Sequence, residues 1–148
     1  MGTIVQVNVS RGGVPKLPVA AAQATVLGLA GDKHLYKFHG GASKALLLLP
    51  SEIVDALRAE GFSVYYGALG ENLTTKGLDH RTWQPGQRFQ AGDVVLELTE
   101  EREPCRKLNP YGKGIQRRIY PGASGFYASV LHAGVIRTGD AIYQLPTL

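Results

Sequence analysis

Cys105 is the only cysteine in the chain, and it lies in the charged stretch EREPCRKL (101–108), directly after the apolar run VVLELT. A thiolate is both the sulfur nucleophile and a soft metal ligand, and neighbouring cations favour it over the thiol. Arg102, Arg106 and Lys107 supply such cations, while Glu100, Glu101 and Glu103 oppose them, so the outcome depends on which side chains turn toward the sulfur. The expectation is that the bases turn inward and that Cys105 works by reaction or ligation. Pro104 stiffens the backbone just before the thiol and helps to aim it. The next stretch, RKLNPYGKGIQRR (106–118), holds five basic residues and no acidic one. It reads either as a solvated loop or as an anion-binding rim serving the thiol.

Two more stretches carry residue types suited to binding. In GDKHLYKFHGGASKA (31–45), His39 precedes Gly40 and Gly41, and Lys44 follows shortly after. Paired glycines let the backbone come close to a ligand and present N–H groups to an anion, beside a histidine that can donate to phosphate. Taken alone, the stretch also fits a glycine turn with a surface histidine. In GALGENLTTKGL (67–78), Glu71 and Asn72 follow a tight glycine turn as a strand begins. Asn72 offers two donors and an acceptor, suited to reading a heterocycle or to fixing a loop, and Glu71 can pair with a cation or exchange a proton. His34, His80 and His132 stand singly, and none has zinc-ligand spacing.

The elements that must position these residues are mostly short strands. TIVQVNVS alternates at period two, with Ile4, Gln6 and Asn8 on one face and Val5, Val7 and Val9 on the other. RGGVPKLP is a turn region, ATVLGLAGD a strand, and KALLLLP a strand apolar enough to be buried on both faces. SEIVDALRAEG reads as a helix with Ser51 as N-cap, an Ile53–Val54–Leu57 stripe and Gly61 just past its end. ENLTT, QRFQ, VVLELTE, FYASVL and AIYQL follow as strands. GQRFQAGDVVLEL and GVIRTGDAIYQL each read as strand, tight Gly-Asp connection, strand. Strands at such intervals predict a mainly β, barrel-like, mostly antiparallel fold with one or two short helices, in a single domain over residues 1–148. A doubly wound parallel sheet is not expected.

Composition narrows the function classes. Of 148 residues 44% are hydrophobic and 19% charged, which fits a globular chain able to bury about 70% of its unfolded surface. The opening MGTIVQVNVS has no signal-peptide pattern, and ALLLLP is too short to cross a bilayer. One cysteine excludes an internal disulfide and suits a reducing compartment, so a cytoplasmic location is expected. The net charge of +4 permits nucleic-acid binding, yet no RNP, KH or zinc-finger spacing accompanies it.

Taken together and in order, HGGASKA, the helix, GALGENLTTKGL, GDVVLELTEEREPCRKL and GFYASVLHAGVIRTGDAI resemble the MOSC family, named for the C-terminal domain of molybdenum cofactor sulfurases. The resemblance runs from about Gly28 to Leu145, with Gly-Glu-Asn-Leu and the Pro-Cys pair its most specific parts. It implies a β-barrel-like domain associated with molybdenum-pterin cofactor, and at family level with pyridoxal phosphate binding. Cys105 matches the family cysteine, which carries sulfur or ligates molybdenum; His39, Gly40, Gly41, Lys44, Glu71 and Asn72 match other marked positions, and Arg102 and Arg106 would serve the pterin phosphate. Enzymatic relatives reduce N-hydroxylated compounds, so an external electron donor or sulfur donor is implied as partner. Larger relatives carry further domains, including an iron–sulfur reductase, which one cysteine could not support; either weak cofactor binding or a pocket shared across a homodimer is then expected. Tyr66 stands where relatives often have proline, and Phe126 where tryptophan is common. The alternative is a non-catalytic barrel that binds an anionic ligand or nucleic acid, with Cys105 incidental.

Overall fold

A computed structural model describes residues 1–10, 12, 14–33 and 42–146. Its strands are β1 (Gly2–Val9), β2 (Leu17–Val19), β3 (Ala21–Thr25), β4 (Gly28–Leu29), β5 (Leu46–Pro50), β6 (Leu73–Lys76), β7 (Arg88–Ala91), β8 (Val94–Glu101), β9 (Phe126–His132), β10 (Gly134–Arg137) and β11 (Ala141–Gln144). The α-helices are α1 (Ser51–Ala59) and α2 (Ile115–Ile119). In the order β11-β7-β8-β9-β5-β6-β1 the strands form a ring, which pairing of β1 with β11 closes. β2 extends the sheet beside β1, and β10, β3 and β4 make a second, small sheet.

The expected barrel is therefore present, with one departure from antiparallel pairing. β5 and β6 run parallel, joined by a crossover that contains α1. The crossover places a helix outside the ring, so β5 must be covered on both faces. Every residue of β5 is buried. Leu46 and Leu48 point into the barrel core with Ile4, Leu73, Phe89 and Leu96. Leu49 faces outward into a second core with Ile53, Val54 and Leu57 of α1 and with Leu108, Ile115 and Ile119.

The local readings are mostly met, with four corrections. ATVLGLAGD is not one strand but a tight hairpin: the end of β3 turns at 26–27 and pairs with β4, Thr25 opposite Gly28. α1 starts at Ser51, but Pro50 holds the cap position in an extended conformation and Ser51 is buried as the first helical residue. Gly61 does follow the helix end with φ +99°, a conformation that favours glycine. In β1 an extra residue between Ile4 and Gln6 breaks the alternation. Ile4 and Val7 consequently share the barrel core, while Gln6 and Asn8 turn outward toward Tyr66 and Glu71. The Gly-Asp segment at 92–93 joins the hairpin β7–β8, as read. The one at 139–140 instead joins β10, paired with β3, to β11, paired with β7. Among the described residues no helix is long and apolar enough to span a membrane.

Leu48 is fully buried at the centre of the ring, whereas Leu131 is exposed. Leu48→Ala should lower the unfolding free energy by about 2–5 kcal/mol. Leu131→Ala should stay within about 0.5 kcal/mol. Urea unfolding at unchanged m-value measures both, and equal effects would refute this placement of the core.

Candidate functional site

The end of β8 carries the chemistry out of the barrel. Val94, Leu96 and Leu98 point inward, and strict alternation would send Glu100 and Arg102 inward after them. The register shifts instead: Leu98 pairs with Ala128, but Glu100 pairs with Tyr127. Directly opposed residues share a face, so the extra residue, Thr99, turns Glu100 and Arg102 to the outer side occupied by Tyr127. Arg102 is buried there, and its backbone N–H donates to the Gly125 carbonyl at 2.8 Å. Beyond it the chain leaves the sheet, and Cys105 is exposed at the start of a 3-10 turn, Arg106–Tyr111, which it opens.

Arg102, Cys105 and Lys107 face a cavity of about 120 Å³, room for several waters or one tetrahedral oxyanion. Lys16, Lys33 and Lys44 line it too, so among the described residues five cations meet there against one lining carboxylate, Glu103. Val14, Leu47, Leu108 and Tyr127 supply apolar wall. Lys44 lies over the Tyr127 ring, 5.3 Å from its centroid.

Lys16 is the deepest of the lysines. Its Nζ donates to Asp32 Oδ1 at 2.6 Å, and the two side chains are only 7% and 1% exposed. The Ser10 N–H donates to the same oxygen at 2.9 Å, and Asn72 Nδ2 donates to Asp32 Oδ2 at 2.9 Å. Lys16 is seated by its own N–H, which donates to the Gly67 carbonyl at 2.9 Å. A methyl group at position 67 would run into the Lys16 carbonyl, and Gly67 has φ +96°, so both contact and conformation require glycine.

Asn72 lines the cavity but spends its amide on the chain. Besides Asp32, Nδ2 reaches the Asn8 carbonyl at 3.3 Å, and Oδ1 accepts from the Leu47 N–H at 3.0 Å. Of its two sequence readings, fixing a loop is the one this geometry displays. Glu71 is buried outside the cavity wall. Its Oε2 accepts from the Gly67 N–H and from Thr74 Oγ1, both at 2.9 Å, while Oε1 has no partner among the described residues. Burial pushes the Glu71 carboxyl above the usual carboxylate range, against the pull of those bonds and of Arg102.

Arg102 Nη1 donates to the Leu69 carbonyl at 2.6 Å, and Nε donates to the Ser124 carbonyl at 3.1 Å and hydroxyl at 3.0 Å. Nη2 has no partner among the described residues. Burial works against the guanidinium charge, and Tyr127, Glu71 and Cys105 act electrostatically to hold it.

The structure thus brings Lys44, Asn72, Arg102 and Cys105 to one cavity. Glu71 stands behind it, and Arg106 is exposed and does not line it. His39, Gly40 and Gly41 lie outside the described residues. The basic run divides: Leu108, Ile115 and Ile119 are buried, Arg118 pairs with Glu60 at 2.6 Å, and Lys107 alone among its cations lines the cavity. Lys16, Asp32, Lys33 and Tyr127 were not legible as site residues. Lys16 sits in a Gly/Pro turn region, where a lysine is ordinarily solvated; only the close pairing of Asp32 and Lys33 after a turn offered any signal.

Comparison with known proteins agrees with this architecture. The family profile described as MOSC domain matches residues 35–143. A protein named "Reductase" from Gibberella moniliformis (strain M3125 / FGSC 7600) is 34% identical over 128 residues, covering 80% of this chain and 22% of that protein. Protein YiiM of Escherichia coli (strain K12) is 37% identical over 92 residues, covering 57% of this chain and 40% of that one. The chain therefore spans less than half the length of these curated relatives. The crystal structure of YiiM from Geobacillus stearothermophilus superposes with a TM-score of 0.82 at 28% identity, over 99% of this chain and 76% of that one.

Because burial raises the Glu71 pKa, the folded state binds its proton more tightly than the unfolded state, whose value is near 4.5. Its contribution to stability is present below that pH and lost as pH rises through the folded value. Glu71→Gln removes this dependence, so its stability relative to wild type should climb as pH rises above about 4.5. Urea unfolding of both proteins at several pH values reads this directly, and a constant or falling difference would contradict it.

Proposed function

The chain belongs to the MOSC domain family, and from that premise we propose that it binds a molybdenum-pterin cofactor at the mouth of the Cys105 cavity, with only the phosphate end entering it, and reduces N-hydroxylated compounds with electrons from an external donor. The observation that carries this reading is the meeting, among the described residues, of an exposed thiol with five cations, one of them a buried guanidinium with a nitrogen that has no partner among those residues.

The donor set fits such a cofactor. Among the described residues no group of three His, Cys, Asp or Glu side chains could hold a metal ion. A metal here would have to bring most of its ligands with it, leaving the protein to add one. Cys105 is a soft sulfur donor suited to a thiophilic metal already held by sulfur. A buried Arg N–H without an acceptor is costly, and an anionic oxygen would satisfy it with a charge-assisted bond. Arg102 and Lys16 would hold the phosphate end, with Lys33, Lys44 and Lys107 around it, while Leu47, Leu108 and Tyr127 keep water from one wall. When bound, the group would supply electron transfer at the metal. Cys105 contributes its thiolate, and Pro104 and the sheet end fix where that sulfur stands.

Protein made in a host that builds molybdenum cofactor should contain molybdenum and pterin in near-equal amounts. Cys105→Ser should lose most of the metal, about tenfold or more, while unfolding near the wild-type temperature, because the exposed thiol packs little. Metal analysis, pterin fluorescence and a thermal scan make the measurement. Absence of both metal and pterin from wild type, together with RNA binding that Cys105→Ser leaves intact, would instead favour the non-catalytic barrel.

A further inference from the structure

We infer that Cys105 is a modification site for small anionic disulfides of the glutathione disulfide class, with a ligand carboxylate entering the cavity while a ligand sulfur meets the thiol at its rim. The product is a mixed disulfide that caps Cys105. The inference goes beyond the cofactor reading and requires no metal. Two observations at different depths meet in it. Cys105 is exposed at the rim. Arg102, 7% exposed, lines the same cavity with Nη2 unpartnered among the described residues.

The separation of these two groups selects the ligand. An inorganic oxyanion would satisfy Arg102 but would form no bond with the thiol. A cationic disulfide would reach the thiol only against the repulsion of Lys16, Lys33, Lys44 and Lys107. A ligand that uses both groups carries a carboxylate a few bonds away from a disulfide sulfur. The cavity, about 120 Å³, has room for one carboxylate and the carbons beside it, so the rest of the molecule lies across the mouth. Leu47, Leu108 and Tyr127 offer apolar wall to the short aliphatic link. Arg102 Nη2 gains a charge-assisted bond to the carboxylate in place of a costly buried vacancy.

The step is thiol–disulfide exchange, and the ligand itself is the oxidant. The Cys105 thiol loses its proton to solvent, and the thiolate attacks one ligand sulfur. A sulfur–sulfur bond forms to Cys105 and the ligand's own sulfur–sulfur bond breaks. Its electron pair leaves with the second ligand thiolate, which takes up a proton from solvent. Because the chain has one cysteine, no second thiol of its own can displace the cap and close an internal disulfide. The cap therefore stays until a thiol from solution removes it, and meanwhile the sulfur is withheld from reaction and from ligation.

The test treats purified protein, free of molybdenum, with glutathione disulfide or with the cationic disulfide cystamine, and follows the intact mass over time. The expected product carries one glutathionyl group, is reversed by dithiothreitol and is absent in Cys105→Ser. The peptide EREPCRKL has the same neighbouring charges without the fold. The protein's preference for glutathione disulfide over cystamine should exceed the peptide's about tenfold or more, and should shrink toward it in about 1 M salt. Arg102→Lys keeps the charge but loses the fork, and should lower the preference about tenfold. Because Arg102 also braces Leu69 and Ser124, Lys33→Gln provides a second variant that leaves those bonds alone; a loss of about two- to fivefold is expected. A preference no greater than the peptide's would overturn the inference, as would one that salt and both variants leave unchanged. So would a chain-to-chain disulfide in place of the adduct, or no adduct on a Cys105 that iodoacetamide still alkylates. Every arm uses protein without metal, so none of these results touches the molybdenum and pterin analysis, and the two readings fail separately.

Discussion

The Asp32 carboxylate holds the cavity together. It is almost wholly removed from solvent and meets three donors, Lys16 Nζ, the Ser10 N–H and the Asn72 amide, each from a different part of the chain. Asn72 in turn exchanges bonds with Leu47 of β5 through its amide oxygen and its backbone N–H, and its carbonyl accepts from Asn8 of β1. One carboxylate therefore fixes the spacing between a loop, the start of β6, the end of β1 and the middle of β5. Burying such a pair gives little net stability, since apolar side chains of equal volume would commonly serve as well, whereas removing one partner costs about 3–5 kcal/mol. An ion pair that is expensive to bury, placed on a cavity wall, is better explained by what the cavity binds than by the fold.

The fold makes room for this cavity by having two cores that share one strand. The barrel interior takes Leu46 and Leu48, and the outer layer beneath α1 and α2 takes Leu49. Leu47 lies between them, at the seam, and faces the cavity. Cys105 and Lys107 arrive at the same seam because Leu108, just beyond them, is buried in the outer core. The reactive stretch is thus anchored on one side by a strand end and on the other by an apolar plug. That arrangement leaves the thiol exposed while holding its backbone.

Much of this was written in patterns that local physics can decode. KALLLLP had to be covered on both faces, and a helix stripe directly after it supplied one cover. Gly61 with its positive φ and the Gly92-Asp93 hairpin followed their turn chemistry. The parallel pairing of β5 and β6 was not legible, because a single crossover leaves no repeating alternation of helix and strand. Neither were the register shifts in β1 and β8. An inserted residue such as Val5 or Thr99 has no sequence signature of its own, yet it reverses the face of everything beyond it. For Arg102 that reversal decides between a charge inside the barrel and a guanidinium beside a thiol.

The same geometry explains why charge counted along the chain located the site only in part. Of the basic run after Cys105, Arg118 is taken by Glu60, and Lys107 is its one member on the cavity wall. The remaining cations come from Lys16, Lys33, Lys44 and Arg102, each scattered among neutral or acidic neighbours in the sequence. A run of like charges must stay spread in water to limit its own repulsion, so it makes a diffuse field. Cations brought singly from separate elements can instead be packed around one point, two of them beside a partner of their own: Asp32 for Lys16, Tyr127 for Lys44. Convergence imposed by the fold, rather than density in the sequence, is what concentrates positive potential at Cys105.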